Sequence, residues 1–140
     1  MIQLTFNVFP LSVNKLYINI PGQKRRFIST DGKKFKKLIE DEVKRLVAEP
    51  KLLKYISALE NKRLMVYIKV TSSSWLLKDG KSIARKDISS CEKALVDSVF
   101  TALNELGFAL DDKQIFDLRL VKDIGDVDTT LVQISEYKSE

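Results

Sequence analysis

The chain contains no histidine and only one cysteine, Cys91, among its 140 residues. The missing histidine excludes serine–histidine and cysteine–histidine nucleophile pairs, and any zinc site with a histidine ligand. One cysteine excludes a disulfide framework within the chain, so we expect a cytoplasmic location. Any chemistry must therefore use carboxylates, lysines, hydroxyls or a metal ion that prefers oxygen ligands.

Long apolar runs are also missing. Hydrophobic residues make up 44% of the chain, but charged residues interrupt them well before the roughly 20 residues of a membrane span. The N-terminal stretch MIQLTFNVFPLSV lacks the basic start of a secretory signal. We therefore expect a single globular domain over residues 1–140, with no membrane partner.

Positive charge is concentrated in the first third of the chain. Residues 1–45 hold ten Lys and Arg against four Asp and Glu, while the whole chain carries a formal charge of +5. Such a cluster suits a phosphate backbone, and a solvated helix face explains it equally well from charge alone. The basic residues of the DNA-binding interpretation are Lys24, Arg25, Arg26, Lys33 and Lys34.

Hydrophobic periodicity predicts an α+β fold. Alternation with a period of two predicts four strands, at residues 2–9, 63–71, 114–122 and 129–137. Helical periodicity predicts one helix that STDG opens at residues 29–32 and another over 90–106, whereas 51–62 fits a short helix or an irregular link. The turn sequence DIGDVD indicates that the last two strands form an antiparallel hairpin. We expect a small mixed sheet of four or five strands, with two main helices packed on one face.

Acidic residues flank the second helix at both ends. Asp87 precedes the helix, and Asp111 and Asp112 follow it. A helix over 90–106 is roughly 25 Å long, so the two ends meet only if the chain after Gly107 runs back along the helix, or if a second subunit supplies one of them. Taken alone, each of these aspartates fits a structural turn position.

Two parts of the sequence resemble the RusA-type Holliday junction resolvases. The stretch KDISSCEKALVD, followed by GFALDDKQIFDLRLVK, is similar to that family's pattern D-x-D-N-x-x-K, a helix and D-D-x-Q. The N-terminal FPLSVNKLYINI and KRRFISTDGKKF resemble its opening, P-P-S-x-N-x-x-Y, followed by a basic segment and a helix start. The resemblance implies a small α+β homodimer that binds four-way DNA junctions and cleaves symmetrically placed phosphodiesters with magnesium.

The resemblance also assigns roles to individual residues. The expected catalytic residues are Asp87, Lys93 and Asp112. The expected magnesium ligands are Asp87, Asp111 and Asp112. Asn14 and Lys122 match family positions that we add to the expected DNA contacts.

The sequence departs from the family pattern at the helix start. Ser89 stands in place of the second aspartate and Ser90 in place of the asparagine. A neutral hydroxyl is a poor substitute for a carboxylate ligand of magnesium. Glu92 either reaches back toward the missing carboxylate, or forms an S-x-x-E capping box with Ser89, which is the commoner arrangement.

These observations leave three functions open. The first is a magnesium-dependent, structure-selective endodeoxyribonuclease that acts on branched DNA in recombination and repair. The alternative is a non-catalytic protein that binds branched DNA on the same scaffold and lost cleavage with the missing aspartate. A general nucleic-acid or ribosome-binding module rests on charge and fold alone. Tyr17, Phe27 and Trp75 fit either base stacking or internal packing.

Overall fold

The computed structural model describes residues 1–24 and 26–139, so Arg25, one of the expected DNA contacts, lies outside the described residues. The strands are β1 (Ile2–Phe6), β2 (Tyr17–Ile18), β3 (Phe27–Ile28), β4 (Leu64–Thr71), β5 (Ile115–Asp123) and β6 (Thr129–Glu136). The α-helices are α1 (Val13–Leu16), α2 (Thr30–Leu46), α3 (Pro50–Ala58) and α4 (Ser89–Glu105).

Four of the strands form one mixed sheet in the order β1-β6-β4-β5. The strand β4 runs parallel to β5 and antiparallel to β6, and β6 runs antiparallel to β1. The strand registers align Ile2 of β1 with Ile134 of β6, and Ile134 with Val66 of β4. All three side chains are buried. The buried residues of three strands therefore share one face, which confirms the predicted α+β class.

The predicted hairpin of the last two strands is wrong. They do not pair, because β4 lies between β5 and β6. Every residue of β4 is buried or half-buried, so this strand belongs at the centre of the sheet, with a neighbour on each side. The five residues 124–128 can span up to about 17 Å, which is ample for the roughly 10 Å between alternate strands.

The long helices cover the buried face of the sheet. In α2 the side chains of Phe35, Ile39 and Val43 are buried, and α4 contributes Leu95 and Leu103 to the same core. Residues 51–62, for which the sequence allowed a short helix or an irregular link, contain most of the helix α3. This helix begins at Pro50, and proline suits the first helical position. In the part of the chain that the structure describes, no helix is long and apolar enough to cross a membrane.

The two ends of α4 are closed by different devices. At its start, the Asp87 Oδ1 accepts a hydrogen bond from the Ser89 N–H at 3.1 Å. Ser89 is the first helical residue rather than the N-cap, so the predicted capping box of Ser89 with Glu92 is wrong. The cap is Asp87, two residues earlier, because a short carboxylate accepts from backbone N–H groups as well as a hydroxyl does.

At its end, α4 reverses through a Schellman motif at Gly107. The Phe108 N–H donates to the Leu103 carbonyl at 3.1 Å, and the Gly107 N–H donates to the Asn104 carbonyl at 2.9 Å. Gly107 has a φ of 97°, which favours glycine. Leu110 is then buried against the core, so the chain after Gly107 turns back toward α4 and carries Asp111 with it.

The start of α2 is fitted closely against the end of α1. The Ser29 Oγ caps α2 by accepting from the Gly32 N–H at 2.9 Å, while the Ser29 N–H donates to the Leu16 carbonyl. A Cβ on Gly32 would lie 2.7 Å from the Leu16 carbonyl oxygen and 3.0 Å from Cγ2 of Ile28. Only glycine therefore allows this approach, which fixes α1 and its polar residues relative to α2.

We predict that Gly32→Ala lowers the free energy of unfolding by about 1 kcal/mol or more, because the new methyl group meets backbone that cannot move away. Alanine ordinarily stabilises a helix by about 1 kcal/mol relative to glycine, so the expected sign is reversed. Urea denaturation measures the effect. The matched control is Lys33→Ala at the next, exposed position, which should change stability by less than about 0.5 kcal/mol. A more stable Gly32→Ala chain would contradict the close approach.

Candidate functional site

The loop of residues 84–88, here called the Asp87 loop, is held against the end of β4. The Ala84 N–H donates to the Trp75 carbonyl at 2.9 Å. The Lys122 Nζ donates to the Lys86 carbonyl at 2.6 Å, and lies 4.7 Å from the centroid of the Trp75 ring. Lys122, an expected DNA contact, is therefore engaged within the protein and fixes the backbone just before Asp87.

Aromatic side chains pack against the same loop. The Trp75 side chain is 2% exposed, and its Nε1 donates to the Val70 carbonyl at 2.8 Å. The ring of Phe9 lies 5.1 Å from Trp75, and Lys86 Nζ lies 5.1 Å from the Phe9 centroid. Of the two interpretations of Trp75, internal packing is correct, because a buried ring has no face to offer a base.

Asp87 is exposed, and its carboxylate is well solvated and hydrogen-bonded. Hydrogen bonds from the side chain and then from the backbone N–H of Ser89 lower the pKa of Asp87, and the charge of Lys122 lowers it further. The Ser90 Oγ donates to the Asp87 carbonyl at 2.7 Å, which closes the same turn. Asp87 therefore stays ionised at neutral pH, and caps α4 at the same time.

Asp87 borders a cleft of about 560 Å³ between the N-terminal segment and the Asp87 loop. The cleft is also lined by Asn14 and Lys15 from α1, and by Arg85 and Lys86 from the loop. These residues are about seventy positions apart in sequence, and they belong to PLSVNK and RKDISS, which both carry the family resemblance. The cleft joins polar and cationic side chains of two segments around one carboxylate.

A smaller depression of about 260 Å³ continues from this cleft. Asn14 lines both, and Tyr17, Asn19 and Arg26 complete the smaller one. Arg26 is therefore the member of the described basic cluster that shares a depression with Asn14. Lys24, Lys33 and Lys34 are exposed and line neither depression.

The second acidic position forms a separate site, here called the acidic depression. Asp97 of α4, Asp111 and Asp112 line it, together with Lys36 of α2, in a volume of about 320 Å³. The Asp111 Oδ1 accepts from the Lys113 N–H at 3.0 Å, while Gln114 Oε1 accepts from the Asp111 N–H at 2.7 Å. The D-D-x-Q stretch is therefore a closed capping box around a short 3₁₀ turn.

The turn of residues 111–114, here called the acidic turn, is anchored to the loop between α3 and β4. The Gln114 Nε2 donates to the Lys62 carbonyl at 2.9 Å. Glu60 Oε2 accepts from the Ala109 N–H at 2.8 Å, which ties the preceding segment to the same loop. The positions of both aspartates therefore depend on a loop that carries neither of them.

Negative charge accumulates in the acidic depression. A hydrogen bond with Asp111, followed by burial and the charges of Asp111 and Asp97, raises the pKa of Asp112. Burial, then the charges of Asp97 and Asp112, raises the pKa of Glu92. The Lys93 Nζ lies 3.5 Å from Asp97 Oδ2, so the expected catalytic lysine forms an ion pair with a residue of this depression.

Glu92 thus belongs to the acidic group. The capping box, one of the two interpretations from sequence, is absent. In addition to burial, the charges of Asp97 and Asp112 contribute to the raised pKa of Glu92. Asp97 was missed as a site residue, because its only sequence signal was an i,i+4 pair with Lys93 that is typical of any exposed helix.

The expected ligands fall into two groups. The cleft beside Asp87 and the acidic depression share no lining residue. Within residues 1–24 and 26–139, no cluster of three or more His, Cys, Asp or Glu side chains is arranged to hold a metal ion. The sequence already placed Asp87 and the Asp111–Asp112 pair at opposite ends of a helix, and only the family resemblance grouped them as ligands of one ion.

Comparison with known proteins adds no relative. No protein-family model matches the chain, and no curated protein matches it significantly. The resemblance to the RusA-type resolvases therefore rests on the sequence motifs around Asn14, Asp87 and Asp112, and a proposed function has to rest on the site itself.

We predict that Asp112→Asn leaves the chain at least as stable as the wild type at pH 7. Because the pKa of Asp112 is raised on folding, its contribution to stability is present below about pH 4 and is lost as the pH rises through its folded pKa. The stability of the variant relative to that of the wild type should therefore increase from pH 3 to pH 7, as measured by thermal unfolding. Asp126→Asn, outside the depression, is the control. If the stability of the variant relative to the wild type is lower at pH 7 than at pH 3, the repulsion between Asp112 and its neighbouring carboxylates is refuted.

Proposed function

We propose that the chain is a magnesium-dependent endodeoxyribonuclease that cleaves four-way and other branched DNA, similar to the RusA-type resolvases. The observation that carries the proposal is the cleft beside Asp87, in which the two segments of the family resemblance meet although they are distant in sequence. The proposal places the protein in the cytoplasm, in recombination and repair, and as a twofold homodimer, because two symmetric cuts need two active sites.

Charge around the cleft supports a phosphodiester as the ligand. Lys15, Arg85 and Lys86 line it together with Asn14, and Arg26 lines its continuation. Contacts of this kind fix the register of a nucleic-acid backbone without reading its sequence. Exposed lysines at positions 24, 33 and 34 extend the positive surface beyond the cleft, where they favour association with DNA.

The donor chemistry of the acidic residues fits magnesium. Under the proposal Asp87, Asp111 and Asp112 hold the ion, and Glu92 and Asp97 stand beside them. The raised pKa of Asp112 has its cause in neighbouring carboxylates, a repulsion that a divalent cation relieves. When bound, magnesium polarises a phosphoryl oxygen and lowers the pKa of an attacking water.

The remaining steps fall to side chains of the chain itself. The cations of the cleft orient the scissile strand, and Lys93 stabilises the negative charge that develops on the phosphate. Asp87 and Asp112 line separate depressions of one chain. The Asp87 loop is held by Trp75 and Lys122, so the joint action of the two aspartates on one phosphodiester requires two subunits to bring the sites together.

A second function is favoured by the state of Asp87. Its Oδ1 already caps α4 through the Ser89 N–H, and position 89 offers a hydroxyl where the family pattern has a carboxylate. Under this alternative the chain keeps the basic cleft and binds branched DNA without cleaving it.

We predict that the wild type cleaves a four-way junction in magnesium, and that Asp112→Asn slows cleavage by at least about 100-fold, because even outer-shell partners of a metal contribute about 10- to 100-fold. Gel-based cleavage and junction binding are measured on the same samples, with Asp126→Asn as the control. Binding should survive in Asp112→Asn, since the basic cleft is intact.

Ser89→Asp separates the two functions. A wild type that binds junctions but cuts only after Ser89→Asp would establish the non-catalytic alternative. A wild type that cuts, and cuts faster with Ser89→Asp, supports the enzyme. A chain that binds linear duplex as tightly as the junction would overturn both.

A further inference from the structure

An exposed aromatic ring lies at the open edge of the sheet. Phe116, near the start of β5, is 60% exposed. The strand β5 has a neighbouring strand on one side only, so it is an edge strand of the sheet. The Phe116 ring is nevertheless held in place, because Tyr137 packs 5.9 Å from it and the Arg63 guanidinium lies 5.2 Å from its centroid. These three residues, here called the Phe116 platform, hold the exposed Phe116 ring in place at the surface.

The platform borders a cavity of about 580 Å³ with an excess of positive charge. Lys62, Arg63 and Lys113 line the cavity, and Asp111 is the one carboxylate among its lining residues, all of which the structure describes. Three amide side chains complete the polar part of the wall, from Asn61, Asn104 and Gln114.

The chemistry of this cavity matches a nucleotide. An exposed aromatic ring attracts the π-face of any base, and a guanidinium against the ring strengthens that stacking. Two neighbouring ammonium groups suit the phosphates on either side. The Asn61 amide provides a donor and an acceptor for a base edge, whereas the Gln114 amide and the Asn104 Oδ1 are already bonded within the protein. A base within a duplex is already stacked on both faces, so the occupant must be unpaired.

A second copy of this chain is a poorer occupant. In a twofold interface the same patch faces itself, so the positively charged surfaces of both copies would be brought together. The cations around Phe116 oppose that arrangement, while they favour a polyanion.

The platform also lies beside the acidic depression. Asn104, Leu110 and Asp111 line both cavities, so a strand seated on Phe116 would pass directly next to Asp112. The Gln114 Nε2 bond to the Lys62 carbonyl holds the turn that carries Asp111 and Asp112 against the wall of the platform cavity.

We propose that the Phe116 platform, with Lys62 and Lys113, is a binding subsite for an unpaired nucleotide, whose base stacks on Phe116 and whose flanking phosphates contact the lysines. The subsite deepens the proposed function, on which its choice of a nucleic-acid ligand rests: it assigns the substrate an unpaired base or single-stranded segment beside the acidic depression.

The test compares two fluorescently labelled oligonucleotides of about 10 nucleotides by anisotropy, without magnesium: oligo-dT and an abasic strand with the same number of phosphates. We expect the wild type to bind dT more tightly than the abasic strand by about 5-fold or more, because stacking contributes to one complex only. Phe116→Ala should remove this preference and leave binding of the abasic strand unchanged. Phe116→Trp should keep the preference, and its added fluorescence should be quenched by dT alone.

Ile124→Ala is the matched control, because Ile124 is equally exposed, at 60%, and lines neither cavity. It should retain the preference for dT. Equal binding of dT and the abasic strand by the wild type would overturn the subsite, as would equal effects of Phe116→Ala and Ile124→Ala. A fall in molecular mass with Phe116→Ala in sedimentation, with the preference for dT intact, would assign the platform to subunit contacts instead. None of these results depends on cleavage, which is measured on junctions with magnesium.

Discussion

The hydrogen bonding of β4 on both of its edges determines how the rest of the molecule is arranged. This strand pairs along its whole length with β5 on one side and β6 on the other, so its backbone groups are satisfied and its apolar side chains can be buried. The segments attached to the two ends of β4 are consequently held in place. Trp75 lies just beyond one end and holds the Asp87 loop, while the Lys62 carbonyl before the other end holds the acidic turn.

The two candidate sites are therefore attached to opposite ends of one rigid strand, and they differ in electrostatic character. At the Trp75 end, cations surround one carboxylate whose pKa is lowered by hydrogen bonds. At the Lys62 end, a hydrogen bond with Asp111 and the charges of neighbouring carboxylates raise the pKa of Asp112, and Lys93 pairs with Asp97. The first environment suits the retention of a phosphate, and the second suits the retention of a cation, which are the two requirements of phosphodiester chemistry.

Sequence reasoning succeeded where the signal is local and periodic. The apolar stripe of α4 and the glycine at position 107 predicted both the helix and its end. It failed where the outcome depends on competition between distant elements. A turn signal predicted that β5 and β6 pair, but the burial of β4 decided the strand order. Similarly, Ser89 fits a capping box, yet Asp87 occupies that role, and the grouping of Asp97 with Asp112 depends on how the chain returns after Gly107.

The anchoring of the acidic turn has a consequence for sequence divergence. Gln114 binds a main-chain carbonyl of the α3–β4 loop, and main-chain carbonyls are the same whatever side chain a residue carries. Substitutions at position 62 can therefore accumulate without displacing Asp111 or Asp112, whereas a single inserted or deleted residue in that loop would move both. Over evolutionary time the length of this loop should be held more strictly than the identity of residue 62.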